Sequence, residues 1–280
     1  MSVVGAGTMG AQIAAQCALS GFDVWLIDTD EAQLERAVLS NRGHLQRRVD
    51  KGKLTEIDLE ETMASIHVSD EVDAVAETQF VIEAVIEQLE VKQTLFCDLA
   101  RIAPSSAVLA SNSSTIGISQ IADQVDVAAR SRCINMHFFH PVLVMKLVEV
   151  MRGPDTSDET VELTTELARR IGREPVLINR EVYGLLVNRI LGAIKREAFW
   201  LAEQGYASPE DIDRAVKLGL NHPMGPFELS DFSGLDVFYY AALQRYRETG
   251  DERDRPPRIL EEKVERGDLG RKTGKGFYSY

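Results

Sequence analysis

Short apolar runs alternate with amphipathic helical stretches through most of the chain, and then the alternation stops. The runs at residues 3–4, 23–27, 65–69, 80–85, 107–112, 132–138 and 175–178 read as strands. Between them, Ile13, Cys17 and Leu19 give one helix an apolar side that ends near Gly21, and residues 30–50 read as a long helix. After Gly153-Pro154, Thr156 and Glu159 have the spacing of a capping box, opening a helix that runs to Arg170 with Gly172 beyond its end. Strands and helices in alternation predict a doubly wound, mainly parallel sheet of the α/β class. From Gly184 onward the pattern is wholly helical. Val187, Ile190, Leu191, Ile194, Ala198 and Leu201 share one face, with Gly205 after the last of them. Ser208-Pro209 opens a second helix, and residues 221–227 form a turn into more helix, with His222 in a structural role. The chain therefore divides into an α/β domain, residues 1–181, and an all-α domain, residues 182–280. An apolar helical domain of that length is expected to pack against a copy of itself, which predicts a homodimer.

One run breaks its own pattern. Residues 137–150, HFFHPVLVMKLVEV, are apolar almost throughout, yet they open on His137 and carry Glu149 between Val148 and Val150. Pro141 permits a bend that would let the two side chains meet. A histidine oriented by a carboxylate is the usual apparatus for moving a proton near neutral pH. The plainer alternative is a core histidine, with the glutamate paired to a surface Lys or Arg.

Gly5-Ala6-Gly7-Thr8-Met9-Gly10 lies between the first strand and the first helix, and Asp28 closes the second strand. Glycines there permit a tight turn and close backbone approach to a pyrophosphate at a helix N-terminus, while an acid at that spacing accepts from a ribose. The alternative is a glycine-rich turn beside a surface acid. A carboxylate at Asp28, followed by Thr29-Asp30 with no arginine, predicts NAD rather than NADP. The strands at 80–85 and 107–112 lead to Glu87 and Lys92, and to Ser111-Asn112-Ser113-Ser114-Thr115. Ligands of such sheets bind beyond the carboxyl ends of the strands, although hydroxyl-rich turns also cap helices. Arg42, Arg47, Arg48, Lys51 and Lys53, opposed only by Asp50, suit either a phosphate-bearing substrate tail or a solvated helix face. Asn188, at the start of its helix, is either a cap or an amide directed into a cleft.

Composition narrows the classes. The chain has 280 residues, 44% hydrophobic and 27% charged, and a net charge of −13. Such acidity argues against nucleic acid as a partner. Cys17, Cys97 and Cys133 contain no CxxC and read as reduced thiols of a cytoplasmic protein. No apolar run reaches the roughly 20 residues of a membrane span, the N-terminus lacks a signal-peptide pattern, and no metal is expected.

GAGTMG, IEAVIEQLEVK, ASNSST, HFFHPVLVMKLVEV, LLVNRI, NHPMGPFELSDFSGLD and GRKTGKGFY occur in this order. On these motifs the chain resembles, over nearly its whole length, the 3-hydroxyacyl-CoA dehydrogenase family in its bacterial short-chain, 3-hydroxybutyryl-CoA form. The resemblance implies a Rossmann-like domain followed by a helical dimerisation domain, with the active site between them. It implies reversible NAD-dependent oxidation of an (S)-3-hydroxyacyl-CoA to the 3-oxoacyl-CoA. His137 matches the acid/base histidine, Glu149 the acid that orients it, Ser114 the serine that contacts substrate and Asn188 the asparagine that completes the site. The glycine-rich loop from Gly5 through Thr8 and Met9 to Gly10, with Asp28, Glu87, Lys92, Ser114 and Lys272, matches cofactor positions. The helix around Lys51 and His44 matches the part that meets CoA. The chain departs from the family pattern in several places, among them two extra residues between Ser114 and His137. HFFNP becomes HFFHP, putting His140 beside the nicotinamide end. Pro-Gly-Phe becomes Tyr183-Gly184-Leu185, and a serine on the CoA helix becomes His44. Rival readings are a dehydrogenase of the same fold acting on L-gulonate or carnitine, and a non-catalytic NAD-binding structural protein.

Overall fold

The structure is a computed structural model. It describes the backbone of residues 1–280 and the side chains of residues 1–247 and 250–280. The chain divides into two compact units, Met1–Leu186 and Val187–Tyr280.

The first unit holds strands β1 (Ser2–Val4), β2 (Val24–Ile27), β3 (Ile66–Ser69), β4 (Phe80–Glu83), β5 (Val108–Ser111), β6 (Cys133–Phe138), β7 (Leu147–Met151) and β8 (Glu174–Ile178). Its helices are α1 (Thr8–Leu19), α2 (Glu31–Asp50), α3 (Glu56–Ala64), α4 (Leu89–Ile102), the one-turn α5 (Ile118–Ile121) and α6 (Val127–Arg130), and α7 (Asp158–Arg170). The strands form one sheet in the order β3-β2-β1-β4-β5-β6-β7-β8. Chain order reverses beside β1, which pairs in parallel with β2 on one side and β4 on the other. The central strands are largely apolar and buried on both faces because helices cover both, as expected of a doubly wound sheet; Glu83, Ser111, Asn135 and His137 are buried polar exceptions. Two buried clusters record the two covered faces, one around Val3, Ile13, Leu26, Ile82 and Ile134, the other around Val4, Val81, Phe96, Leu109 and Cys133.

Two local expectations are refined. The apolar run 137–150 is not one strand: it folds back through residues 139–146, and β7 pairs antiparallel with β6. The capping box expected of Thr156 and Glu159 is absent. Ser157 is the N-cap instead, its Oγ accepting from the Thr160 N–H at 3.2 Å. Thr156 Oγ1 donates to the Cys133 carbonyl at 2.7 Å and accepts from the Gly153 N–H at 2.9 Å, so this hydroxyl is engaged by the strands rather than the helix.

The second unit is built from α8 (Val187–Glu203), α9 (Pro209–Leu220), α10 (Pro226–Ser233), α11 (Leu235–Thr249) and α12 (Arg258–Glu265). Its core is aromatic: Phe199, Phe227 and Phe277 stack with centroids 4.8–5.3 Å apart. Two buried aspartates tie it together. Asp213 accepts from the Phe227 and Glu228 N–H groups at the start of α10, both at 2.8 Å, and from the Tyr278 hydroxyl at 2.7 Å. Asp231 accepts from the Phe277 and Tyr278 N–H groups, both at 2.9 Å. A Cβ at Gly225 would overlap Asp213, and one at Gly276 would overlap Asp231. The motifs NHPMGPFELSDFSGLD and GRKTGKGFY thus carry one structural lock, whose two halves lie far apart in the chain.

Candidate functional site

The glycine-rich loop joins β1 to α1 at the point where strand order reverses. Gly5 has φ +103, and a Cβ there would collide with the Ala84 backbone; one at Gly10 would overlap the Gly5 carbonyl. Gly7 differs: no heavy atom of the chain outside its neighbours lies within 4 Å of the Cβ it lacks. The chain itself has no steric need for that glycine, but a ligand approaching the backbone does. Gly7 is also the N-cap of α1 and offers no side-chain cap, so the first-turn N–H groups are left for an anion. Asp28 Oδ2 accepts from the Ala6 N–H at 2.7 Å and Oδ1 from the Asp30 N–H at 3.0 Å, which fixes the carboxylate while leaving each oxygen a lone pair for a ribose hydroxyl. These residues fit a dinucleotide.

At the carboxyl ends of β4 and β5 stands a charged network. Lys92, on α4 and buried, lies 2.6 Å from Glu83 Oε1 and 3.2 Å from Glu87 Oε2. Glu87 Oε1 accepts from the hydroxyls of Ser113 at 2.6 Å and Thr115 at 2.7 Å, and from the N–H groups of Ser114 and Thr115. Burial alone would raise the Glu87 carboxyl, but Lys92 and the two hydroxyls outweigh it and hold it below the usual range. Ser114 is half-buried, and among the described residues its hydroxyl has no hydrogen-bond partner, unlike those of Ser113 and Thr115.

On the next strands, His137 and Glu149 are direct cross-strand partners. His137 Nδ1 lies 3.0 Å from Glu149 Oε2, with His137 7% and Glu149 1% exposed. Glu149 Oε1 accepts from the Leu186 N–H at 3.0 Å, and the Phe139 ring packs edge-on against the imidazole at 4.7 Å. With Nδ1–H given to the carboxylate, a neutral imidazole presents the Nε2 lone pair, which is the arrangement of a general base. Asn112 Oδ1 accepts from the Phe138 N–H at 2.9 Å and so ties the Ser114 loop to the histidine strand.

A family model described as "3-hydroxyacyl-CoA dehydrogenase, NAD binding domain" matches residues 1–182, and one described as "3-hydroxyacyl-CoA dehydrogenase, C-terminal domain" matches residues 184–280. The chain belongs to the 3-hydroxyacyl-CoA dehydrogenase family. It is an NAD-dependent dehydrogenase, and the family implies an acyl-CoA substrate. Its relatives include a probable 3-hydroxybutyryl-CoA dehydrogenase of Deinococcus radiodurans, 41% identical over 278 residues and covering 99% of each chain. A 3-hydroxybutyryl-CoA dehydrogenase of Bradyrhizobium diazoefficiens is 38% identical over 100% of this chain and 94% of its own. Among solved structures, the (S)-3-hydroxybutyryl-CoA dehydrogenase of Ralstonia eutropha superposes with a TM-score of 0.93 at 40% identity, covering 100% of this chain and 98% of that one. Among the described residues, no helix of this dehydrogenase is long and apolar enough to cross a membrane, and no cluster of metal-ligating side chains occurs.

The first unit brings together the glycine-rich loop, Asp28, Glu87, Lys92, Ser114, His137 and Glu149 along one edge of the sheet. Lys51 follows α2 and is exposed. Of the basic cluster, Arg42 is engaged by Glu60. His44 Nδ1 accepts from Arg47 at 2.7 Å. The His44 imidazole is held below its usual pKa by burial, then by Arg47 and by His140. Asn188 lies exposed on the first turn of α8, in the second unit. Lys272, also there, is paired with Asp236 at 2.5 Å. Sequence reasoning missed Glu83. Glu83 carried a signal, an acid inside the apolar run FVIEAVI, of the same kind that exposed Glu149.

Proposed function

We propose that this enzyme oxidises a short-chain (S)-3-hydroxyacyl-CoA, of the 3-hydroxybutyryl-CoA type, to the 3-oxoacyl-CoA, and catalyses the reverse. The observation that carries this reading is the buried His137–Glu149 pair beside a loop whose Ser114 hydroxyl has no partner among the described residues, in a chain whose relatives bear the name of that activity. His137 Nε2 takes the hydroxyl proton of the substrate. Glu149 holds the ring by Nδ1 and stabilises the imidazolium that forms. Ser114 and Asn188 position the substrate oxygen, fixing the reacting atoms at close range. Bound NAD supplies the hydride acceptor at C3 of the substrate. The glycine-rich loop and Asp28 hold its pyrophosphate and ribose, with Glu87, Lys92, His140 and Lys272 toward the other end; Lys51 and His44 meet the CoA moiety. The Asp28 carboxylate disfavours a 2′-phosphate, so NAD is preferred over NADP. The exposed Leu218, Leu220, Phe232, Val237 and Tyr240 of the second unit support a homodimer through that unit.

The deciding experiment follows NADH oxidation with acetoacetyl-CoA, against dehydrogenation of L-gulonate and of carnitine. Turnover of acetoacetyl-CoA is expected, and His137→Gln is expected to retain NADH binding while losing on the order of 10²–10⁴ in kcat. Preference for L-gulonate or carnitine, or near-parental turnover by the variant, would overturn the reading.

A further inference from the structure

Glu83 ends β4 and is fully buried, so it reaches no ligand. All of its side-chain bonds are internal. Oε1 accepts from the Lys92 ammonium at 2.6 Å and from the Val85 N–H at 2.7 Å; Oε2 accepts from the Ser111 hydroxyl at 2.6 Å. From this one carboxylate two arms lead to the same segment. Through the first, Lys92 grips Glu87, and Glu87 gathers the N–H groups of Ser114 and Thr115 together with the hydroxyls of Ser113 and Thr115. Through the second, Ser111 Oγ accepts from the Ser113 N–H at 3.1 Å.

Charge explains why Glu83 is the keystone of the two. Lys92 is 1% exposed, and a buried ammonium stays charged only if a fixed anion compensates for its lost water. The Glu87 side chain is 38% exposed, so water screens its share of that compensation, whereas the Glu83 side chain is 0% exposed. Without the Glu83 charge, Lys92 has no adequate partner inside the sheet. Glu87 then loses its fixed cation, and the Ser114 N–H loses a fixed anchor.

We propose that Glu83 is a positioning residue for the reaction, setting the Ser114 hydroxyl through Lys92 and Glu87 on one arm and through Ser111 on the other. This rests on the reading of Ser114 as a substrate contact. It adds a function for a residue that touches neither substrate nor cofactor. It also couples the cofactor edge of the site to the substrate edge, because Glu87 serves both.

The test is a double-mutant cycle on kcat for acetoacetyl-CoA reduction, with NADH affinity and thermal midpoint measured on every variant. Glu83→Gln keeps the shape and removes the charge. Misplacing a group by about 1 Å costs on the order of 100-fold in rate, so a loss of about 10-fold or more in kcat is expected. In a Ser114→Ala background the same change should cost less than about 2-fold, because residues acting as one unit are not additive. A merely structural Glu83 would multiply its loss into both backgrounds alike. That result, or parental kcat in Glu83→Gln, overturns the proposal. If Ser114→Ala alone leaves kcat unchanged, the reading of Ser114 fails and the proposal fails with it. Should Glu83→Gln not fold, Ser111→Ala interrupts the second arm alone, and the same non-additivity with Ser114→Ala decides the question.

Discussion

Both units bury carboxylates, and the partners of those carboxylates separate chemistry from architecture. In the second unit, Asp213 and Asp231 accept from backbone N–H groups and tyrosine hydroxyls, none of which changes charge near neutral pH. In the first unit, Glu83 holds a lysine and Glu149 a histidine, side chains that can themselves carry charge. A buried acid with backbone partners fixes the chain. A buried acid with a titratable partner fixes the position of that partner's side chain.

The largest effect expected from that contrast is on folding. Asp231→Ala should leave two buried N–H groups unsatisfied and lower stability by about 3 kcal/mol, measured as a fall in the urea midpoint. A change below about 1 kcal/mol would remove Asp231 from the structural side. Next in size is an effect on rate alone. Glu149→Gln should lower kcat by at least ~100-fold with a far smaller change in thermal midpoint, because an amide no longer fixes the imidazole or stabilises its cation. An unfolded Glu149→Gln would place Glu149 with the structural acids.

The smallest effect concerns acid pH, where the two units should move in opposite directions. Glu87 is held below its usual 4.5, so its contribution is complete above the unfolded value and is lost as pH falls through the lower folded value. Asp213 is raised above its usual 3.8, mainly by burial, so it takes up a proton more readily when folded. Its contribution grows as pH falls and fades as pH rises through the folded value. Between about pH 6 and about pH 3, the thermal-midpoint deficit of Glu87→Gln should shrink, whereas that of Asp213→Asn should grow. Trends of the same sign would break the comparison.

What could be read from the sequence follows the range of the interactions. The strands were legible because each is a local apolar run, and the dinucleotide loop because strand, glycines and helix are contiguous. His137 and Glu149 were legible as a suspicion, since each is an anomaly within its own stretch. Their pairing required the fold back through residues 139–146. Glu83 and Lys92 were harder: a lysine on an amphipathic helix ordinarily lies at the surface, and only the tertiary fold, which brings it against Glu83 at the end of β4, buries this one. The lock around Asp213 and Asp231 was invisible locally, because its partners come from residues 277 and 278, at the other end of the domain. The capping site shifted from Thr156 to Ser157 for the same reason, the Thr156 hydroxyl being claimed by Cys133 across the sheet.

The antiparallel return of β7 has a further consequence. Its register is held on both flanks, by β6 on one side and β8 on the other. The intervening turn is moored at Val142, whose N–H is accepted by Gln12 and whose carbonyl is gripped by Arg173. His140, Leu143, Val144 and Met145 lie on the span between the two strands, so the register that sets His137 opposite Glu149 is held by the paired strands and the Val142 anchors.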